Sequence, residues 1–371
     1  MLPFISVVIP VRNERAMLPA LIDELMKQNY AGDRYELIVV DGRSTDGTAD
    51  LVRRRYSAKP IRLRILDNPK VRSSAGRNLG IRAAAGNVIL FLDGHCTLPS
   101  RNFLEDTAAI LAQTGADCLC RWQPLLAPAP TPTGEAIAQA RGHWLGHAAD
   151  PPACDGRSRG WVDPVQGAAI YRREVFERVG LFDESFDGCE DLEFNARVRD
   201  AGLRAYADPH LAVHLQPRED VPSLLRQMVR NGRARLRLTR RHPEAEFRSQ
   251  WAPVAILAAL ALLAPAWLLL PRPAAVAASV PAALFAAVVL ASALQLGWRH
   301  GFFAAWKSPW VFTAIYCGLG AGLLLEALRP AAAEAAPVLA PAQGAAVVSA
   351  RAAEIPPSLA PAVAEQMDRA A

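Results

Sequence analysis

The distribution of charge limits this chain more than any other feature: the stretches 252–270, 274–296 and 308–325 contain no charged residue. Each runs to roughly 20 residues, enough to cross a hydrocarbon core as a helix. Before residue 250 the apolar residues come only in short runs between charges. The pattern predicts a soluble N-terminal domain over 1–220 and a membrane domain over 249–328, with transmembrane helices at 252–270, 274–296 and 308–328. The third is interrupted by four small residues between Cys317 and Gly322. A buried helical hairpin is the alternative, and three such segments in succession argue against it.

The net charge of +5 is concentrated: seven arginines and no acids fall between Arg226 and Arg241. Placed just before the first apolar stretch, they predict that this side faces the cytoplasm, and Arg299 and Lys307 agree. On a helical wheel Arg226, Arg230, Arg233, Arg237, Arg240 and Arg241 form one stripe beside Leu225, Val229 and Leu236, with Arg235 on the far side. Residues 221–248 therefore read as an amphipathic helix lying on anionic lipid. A neighbouring membrane span argues against nucleic acid as the partner of such a run. No basic segment or cleavage site precedes the strand pattern at 4–9, so no signal peptide is expected. The six cysteines are scattered, and Cys118-Leu-Cys120 has no zinc spacing, which suits reduced structural thiols. After Arg329 the alanine- and proline-rich composition predicts a disordered tail over 329–371, placed outside the cytoplasm by three spans.

Up to about residue 215, strand and helix signals alternate: strands at 4–9, 36–40, 61–66 and 88–92, helices at 17–28, 48–56 and 74–84. Right-handed crossovers and a mostly parallel α/β sheet follow, a nucleotide-binding architecture by shape. The run at 88–92 is uninterruptedly apolar, as in a buried strand, and its carboxyl end delivers Asp93-Gly94-His95. Ligands of open α/β sheets bind outside such ends. A carboxylate and an imidazole two residues apart suit a divalent cation that also holds phosphate oxygens, with Gly94 allowing a tight bend. The earlier strands end in Pro10-Val11-Arg12-Asn13-Glu14 and in Asp41-Gly42-Arg43-Ser44. Asp46 reads as a helix cap, whereas no helix starts at Asp41, which is free to accept from a base or ribose.

Together SVVIPVRNE, VVDGRSTDGT, SSAGRNLGIRAAAGNVILFLDGH and GCEDLEFNARVRDAG resemble family 2 glycosyltransferases of the GT-A fold, above all the succinoglycan-type glucosyltransferases of bacterial exopolysaccharide assembly. The resemblance covers residues 4–245. It implies a Rossmann-like GT-A domain followed by the membrane helices, and an inverting, metal-dependent transfer of a hexose, glucose by this likeness, from a UDP-sugar. The implied acceptor is a polyprenyl-linked saccharide, and the implied place is the bacterial inner membrane, multi-pass, with the catalytic domain cytoplasmic and other polysaccharide-assembly enzymes nearby. By the same resemblance Pro10, Arg12 and Glu14 surround the uracil, Asp41 and Gly42 meet the base or ribose, and Arg77 approaches the nucleotide. Asp93 meets ribose and metal, while His95 and His214 ligate Mn²⁺ or Mg²⁺. Asp191 is the implied base, with Glu190 supporting it. Where the family has Q-x-x-R-W this chain has Gln227 and Arg230 but Asn231, which weakens the case for processive synthesis. The alternatives are a polyprenyl-phosphate glycosyltransferase and, in another class, a non-catalytic nucleotide-sugar-binding membrane scaffold.

Overall fold

The computed structural model describes residues 2–126, 131–147, 156, 159–186, 188–243 and 251–329. Two apolar strands begin it, β1 (Ile5–Val11) and β2 (Tyr35–Asp41), linked by α1 (Leu18–Leu25). Next come α2 (Thr48–Tyr56), β3 (Leu63–Asp67), α3 (Ser73–Ala83) and β4 (Val88–Phe91). A two-residue strand β5 (Cys96–Thr97) precedes α4 (Phe103–Thr114), β6 (Cys118–Trp122) and α5 (Pro132–Arg141). The domain closes with β7 (Gly160–Val162), β8 (Ala168–Arg172), α6 (Arg173–Val179), α7 (Glu190–Asp200), β9 (Ala205–Ala212) and β10 (His214–Leu215).

Eight strands form one sheet in the order β3-β2-β1-β4-β8-β6-β9-β7. The first four are parallel, β8 runs against both β4 and β6, and β9 restores parallel pairing with β6. This mixed, mostly parallel sheet is the expected α/β class. Helices cover both faces: Leu21 and Ile22 of α1, Val52 of α2 and Phe103 of α4 pack on one. Ile81 of α3, Phe176 of α6 and Phe194 of α7 pack on the other. Strands covered on both sides have no face for polar residues, which is why their sequences are almost continuously apolar.

One local expectation changes. Gly94 has no positive φ, so its value is not a special turn. A Cβ there would meet Val11 Cγ1 at 2.8 Å and Glu14 Cγ at 3.1 Å, so glycine is needed for the close passage of the loop after β1. Helix α7 starts at Glu190, where Cys189, at φ 55°, turns the chain into it.

The helical half comprises α8 (Val221–Arg241), α9 (Ala252–Leu269), α10 (Arg272–His300) and α11 (Phe302–Ala327). The last three are each long and apolar enough to cross a membrane. They differ in surroundings. Leu262, Leu268 and Leu269 of α9 and Leu284, Leu290 and Leu294 of α10 point outward, whereas most of the apolar window of α11 is covered by protein. Of the small residues that interrupt α11, Gly318 and Gly322 form its seam with α8, while Gly320 packs on Pro253 of α9. A Cβ on Gly318 would lie 2.6 Å from Met228 Cβ, and one on Gly322 would lie 2.2 Å from the Val229 carbonyl oxygen. Close helix approach of this kind requires small residues.

The arginine stripe of α8 serves that seam too. Buried Glu326 of α11 accepts from Arg237 Nε at 2.7 Å and Arg233 Nε at 3.2 Å, while Arg241 pairs with Asp183. Arg235 is buried. Half of the stripe expected to face lipid is therefore engaged by protein carboxylates, which an isolated helical wheel does not contain. The tail over 330–371 lies outside the described residues, as does the segment 244–250 that was expected to continue the basic helix.

Candidate active site

The crevice at the carboxyl ends of β1, β2 and β4 is built by loops fastened to one another. Asn13 N–H donates to Ser44 Oγ at 2.8 Å, Thr45 N–H to Asn13 Oδ1 at 2.8 Å, Glu14 N–H to Thr48 Oγ1 at 3.0 Å, and Arg15 N–H to Asp46 Oδ2 at 3.0 Å. Asn13 and Arg43 take positive φ to make these turns. Asp41 is buried, and its two oxygens accept from Ser44 N–H and Oγ, so it holds its own loop. A Cβ on Gly42 would lie 2.8 Å from the Val71 carbonyl oxygen. Pro10 is half-buried at the end of β1, and Arg12 is exposed at the rim.

Asp93 leaves β4 with its strand end fixed from the side by Arg121, a buried β6 residue whose Nη1 donates to the Phe91 carbonyl at 2.7 Å. Burial alone would raise the Asp93 pKa, but Arg77, His95 and Arg121 outweigh it and hold the carboxyl below the usual range. His95 donates from Nδ1 to Glu14 Oε1 at 3.0 Å. Burial opposes its charge, yet the Glu14 hydrogen bond and Asp93 raise its pKa above the ordinary imidazole value.

Arg77 of α3 connects this end of the crevice to the other. Its Nη2 lies 3.8 Å from Asp93 Oδ1 and 3.7 Å from Glu190 Oε1, with the side chain only 11% exposed. The guanidinium sits 5.6 Å from the Phe91 ring centre and 5.3 Å from that of Phe182, and Nε is buried without a hydrogen-bond partner. It is an interior cation between two carboxylates rather than a solvated helix residue. Asp191, in the first turn of α7, is open to the crevice, and its Oδ1 accepts from Leu192 N–H at 2.9 Å. The protein wall around it and then Glu190's charge raise its pKa above the usual carboxylate range.

The structure thus gathers Glu14, Arg77, Asp93, His95, Glu190 and Asp191. It does not gather His214. Antiparallel register places His214 opposite Thr97, so Gln216, not His214, comes level with His95 and donates its N–H to the His95 carbonyl at 3.2 Å. His214 instead lies within electrostatic reach of Glu24, whose carboxyl burial holds above the usual range. Among the described residues no three His, Cys, Asp or Glu side chains form a cation cluster. Asp93 and His95 nevertheless fit a divalent ion: the Glu14 carboxylate fixes the proton on Nδ1 and leaves Nε2 as the donor, the usual outer-shell support of a ligating histidine. Two protein ligands suffice where phosphate oxygens and water complete the shell. Sequence reasoning passed over Arg121 and Gln216, whose only signal was a polar residue in or just beyond an otherwise apolar strand.

Residues 6–180 match the model of glycosyl transferase family 2. The succinoglycan biosynthesis protein ExoA of Rhizobium meliloti is 28% identical over 269 residues, covering 67% of this chain and 74% of that protein. A dolichyl N-acetyl-α-D-glucosaminyl phosphate 3-β-D-2,3-diacetamido-2,3-dideoxy-β-D-glucuronosyltransferase of Methanococcus voltae is 23% identical over 240 residues, covering 62% of this chain and 73% of that protein. Among solved structures, a mannosyltransferase of Pyrobaculum calidifontis in complex with GDP-mannose and Mn²⁺ superposes with a TM-score of 0.57 at 21% identity, covering 88% of each chain. That likeness establishes the GT-A fold.

Proposed function

We propose that this chain, whose residues 6–180 match the model of glycosyl transferase family 2, transfers a hexose, with glucose the first candidate, from a UDP-sugar to a lipid-linked saccharide with inversion at the anomeric carbon. The observation that supports this most is Arg77 standing between Asp93 and Glu190, which makes one crevice of the Asp93–His95 pair and the Glu190–Asp191 pair.

In this reading Asp191 takes the proton of the acceptor hydroxyl as that oxygen attacks the anomeric carbon and the bond to the diphosphate breaks. Its raised pKa brings it nearer to the working range of a general base. Arg77 holds Glu190 and Asp93 at opposite walls and offers its unpartnered Nε to oxygens arriving between them. Asp93 and His95 are the residues that hold a divalent cation, Mn²⁺ or Mg²⁺, with Glu14 orienting the imidazole. When bound, the cation supplies Lewis acidity that neutralises charge on the departing diphosphate. The loops around Pro10, Arg12, Asp41 and Gly42 receive the uridine. A dolichyl-linked saccharide in one relative's name and a polysaccharide pathway in another's support the acceptor class, and the apolar helices support a multi-pass place in the inner membrane with this domain on the cytoplasmic side.

The test is UDP release from a panel of UDP-sugars by the full chain in nanodiscs with Mn²⁺ or Mg²⁺ and a lipid extract as acceptor source. Metal-dependent turnover of one donor, lost in Asp93→Ala and in Asp191→Asn, is the expected result. Equal turnover in wild type and both variants would overturn the assignment.

A further inference from the structure

A second concavity adjoins the crevice on its membrane side. It holds about 120 Å³ and is lined by His95, Gln216, Arg218, Arg141, Gln227 and Leu224. A pocket for a nucleotide sugar needs on the order of 300 Å³ or more, so this one suits a smaller group. One wall is His95, the end of the crevice that meets the donor diphosphate in the proposed reading. The opposite wall, Leu224 with Ile137, belongs to the apolar cluster that includes Val289 of α10 and Phe312 and Ile315 of α11. The cleft therefore lies between the reaction site and the helices that are apolar enough for a membrane.

Its polar lining is cationic. Arg218 is exposed, donates Nε to Gln227 Oε1 at 3.2 Å, and lies in the field of Arg230. Arg230 in turn runs past Gly188, where a Cβ would sit 3.5 Å from its Cγ and 3.7 Å from its Nε, two residues before Glu190. Arg218 and Arg141 both line this small cleft, with Arg230, Glu14 and Asp220 in the field of Arg218, and Arg forks match phosphate geometry. Gln216 adds a different demand: its Oε1 is buried without a partner and accepts only from a donor such as a sugar hydroxyl. Phosphate toward the arginines, hydroxyl toward Gln216 and His95, and an isoprenoid leaving along Leu224 is the order of groups in a lipid-phosphate-linked acceptor.

We propose that this cleft, through Arg218, Arg141 and Gln227, binds the phosphate of a prenyl-phosphate-linked acceptor and so sets which hydroxyl reaches Asp191. The proposal rests on the glycosyltransferase reading for its catalytic meaning, but binding of the phosphate needs no donor and is measured alone.

The full chain in nanodiscs of zwitterionic phosphatidylcholine is titrated with geranyl phosphate, geraniol and inorganic phosphate, and separately with UDP and Mn²⁺. The expected result is saturable binding of geranyl phosphate, none of geraniol and much weaker binding of inorganic phosphate. Arg218→Gln is expected to raise the geranyl phosphate Kd by about tenfold, the effect of one charge-assisted contact, with Arg218→Lys in between and UDP affinity within about twofold of wild type. Gln227→Leu, which removes the partner of Arg218 without touching its charge, gives a smaller change in the same direction. Equal binding of geraniol would reduce the cleft to an apolar groove and overturn the proposal. Inorganic phosphate bound as tightly as geranyl phosphate would overturn the lipid as its source. Arg218→Gln weakening UDP while sparing geranyl phosphate would assign the arginines to the donor. Arginine-dependent geranyl phosphate binding in a chain that turns over no nucleotide sugar would instead sink the donor reading and leave the cleft standing.

Discussion

Arg77 and Arg237 are both interior arginines facing carboxylates, and they are held quite differently. In the crevice, Arg77 stands 3.8 Å from Asp93 and 3.7 Å from Glu190, beyond hydrogen-bond reach, with a buried Nε that has no partner. In the helical half, Arg237 donates Nε to Glu326 at 2.7 Å and Nη1 to the Ser185 carbonyl at 3.2 Å. The second arrangement is a completed structural contact that fastens α8 to α11 and to the loop before α7. The first leaves hydrogen-bonding capacity unused in an interior site, a cost that persists where a ligand is to complete it. On the proposed function, the one arginine holds the fold and the other is kept for substrate.

The hardest test of that separation is Asp191→Asn. Loss of a general base is expected to lower kcat by about 10²–10⁴-fold, with the melting temperature unchanged because the side chain is open and makes only a local contact. Transfer of labelled sugar and a thermal melt on the same preparation check both. A large fall in melting temperature would move Asp191 to the structural class. Next in size is Glu14→Gln. Removing the carboxylate that orients His95 is expected to weaken Mn²⁺ binding by about 10–100-fold, read from the free Mn²⁺ signal by electron paramagnetic resonance at fixed pH. Unaltered Mn²⁺ affinity would show that the Glu14–His95 contact serves the loop alone.

The opposite arm lies in the helical seam. Gly322→Leu places a side chain where even a Cβ would come within 2.2 Å of the Val229 carbonyl oxygen. Overpacking of about 1–3 kcal/mol is expected, seen as a lower melting temperature in nanodiscs, while UDP affinity stays near wild type because the atoms nearest a Gly322 Cβ are α8 backbone at Val229, Gly232 and Arg233 rather than crevice side chains. If UDP binding were lost in step with the melt, the contacts of Arg237 with Ser185 and of Arg230 with Gly188 would couple the two halves as one cooperative unit.

How legible these parts were follows from the interactions that make them. The parallel strands were visible because burial on both faces leaves an almost continuous apolar run, and the site acids because they sit where those runs stop: Asp41, Asp93 and the loop after Pro10. Asp191 needed the family resemblance, since alone it reads as an ordinary acidic first turn. What stayed hidden depends on register or on partners distant in the chain. A one-residue reading of β10 could not tell that Gln216 rather than His214 comes level with His95. Glu326, 93 residues beyond Arg233, could not be paired with it from a helical wheel. The glycines of α11 read as defects in a span, because nothing local shows that α8 lies against Gly318 and Gly322 and α9 against Gly320.

The smallest expected effect asks which group sets the pH dependence of the crevice. Asp191's pKa is raised first by the protein wall that surrounds this open side chain and then by the negative charge of Glu190. A base must be deprotonated to act, so kcat/KM is expected to fall as pH drops through that raised value. Glu190→Gln removes a like charge, and it also releases Arg77, now facing a neutral amide at the position of its 3.7 Å partner, to favour the ionised form of Asp191. Both changes act in the same direction, so the acidic limb should move to lower pH, by about one unit or less for a single charge in a solvent-open site. A limb that moves upward, or stays in place while overall activity falls, would mean that Asp191 is not the titrating group and that Arg77 steadies Glu190 for binding alone.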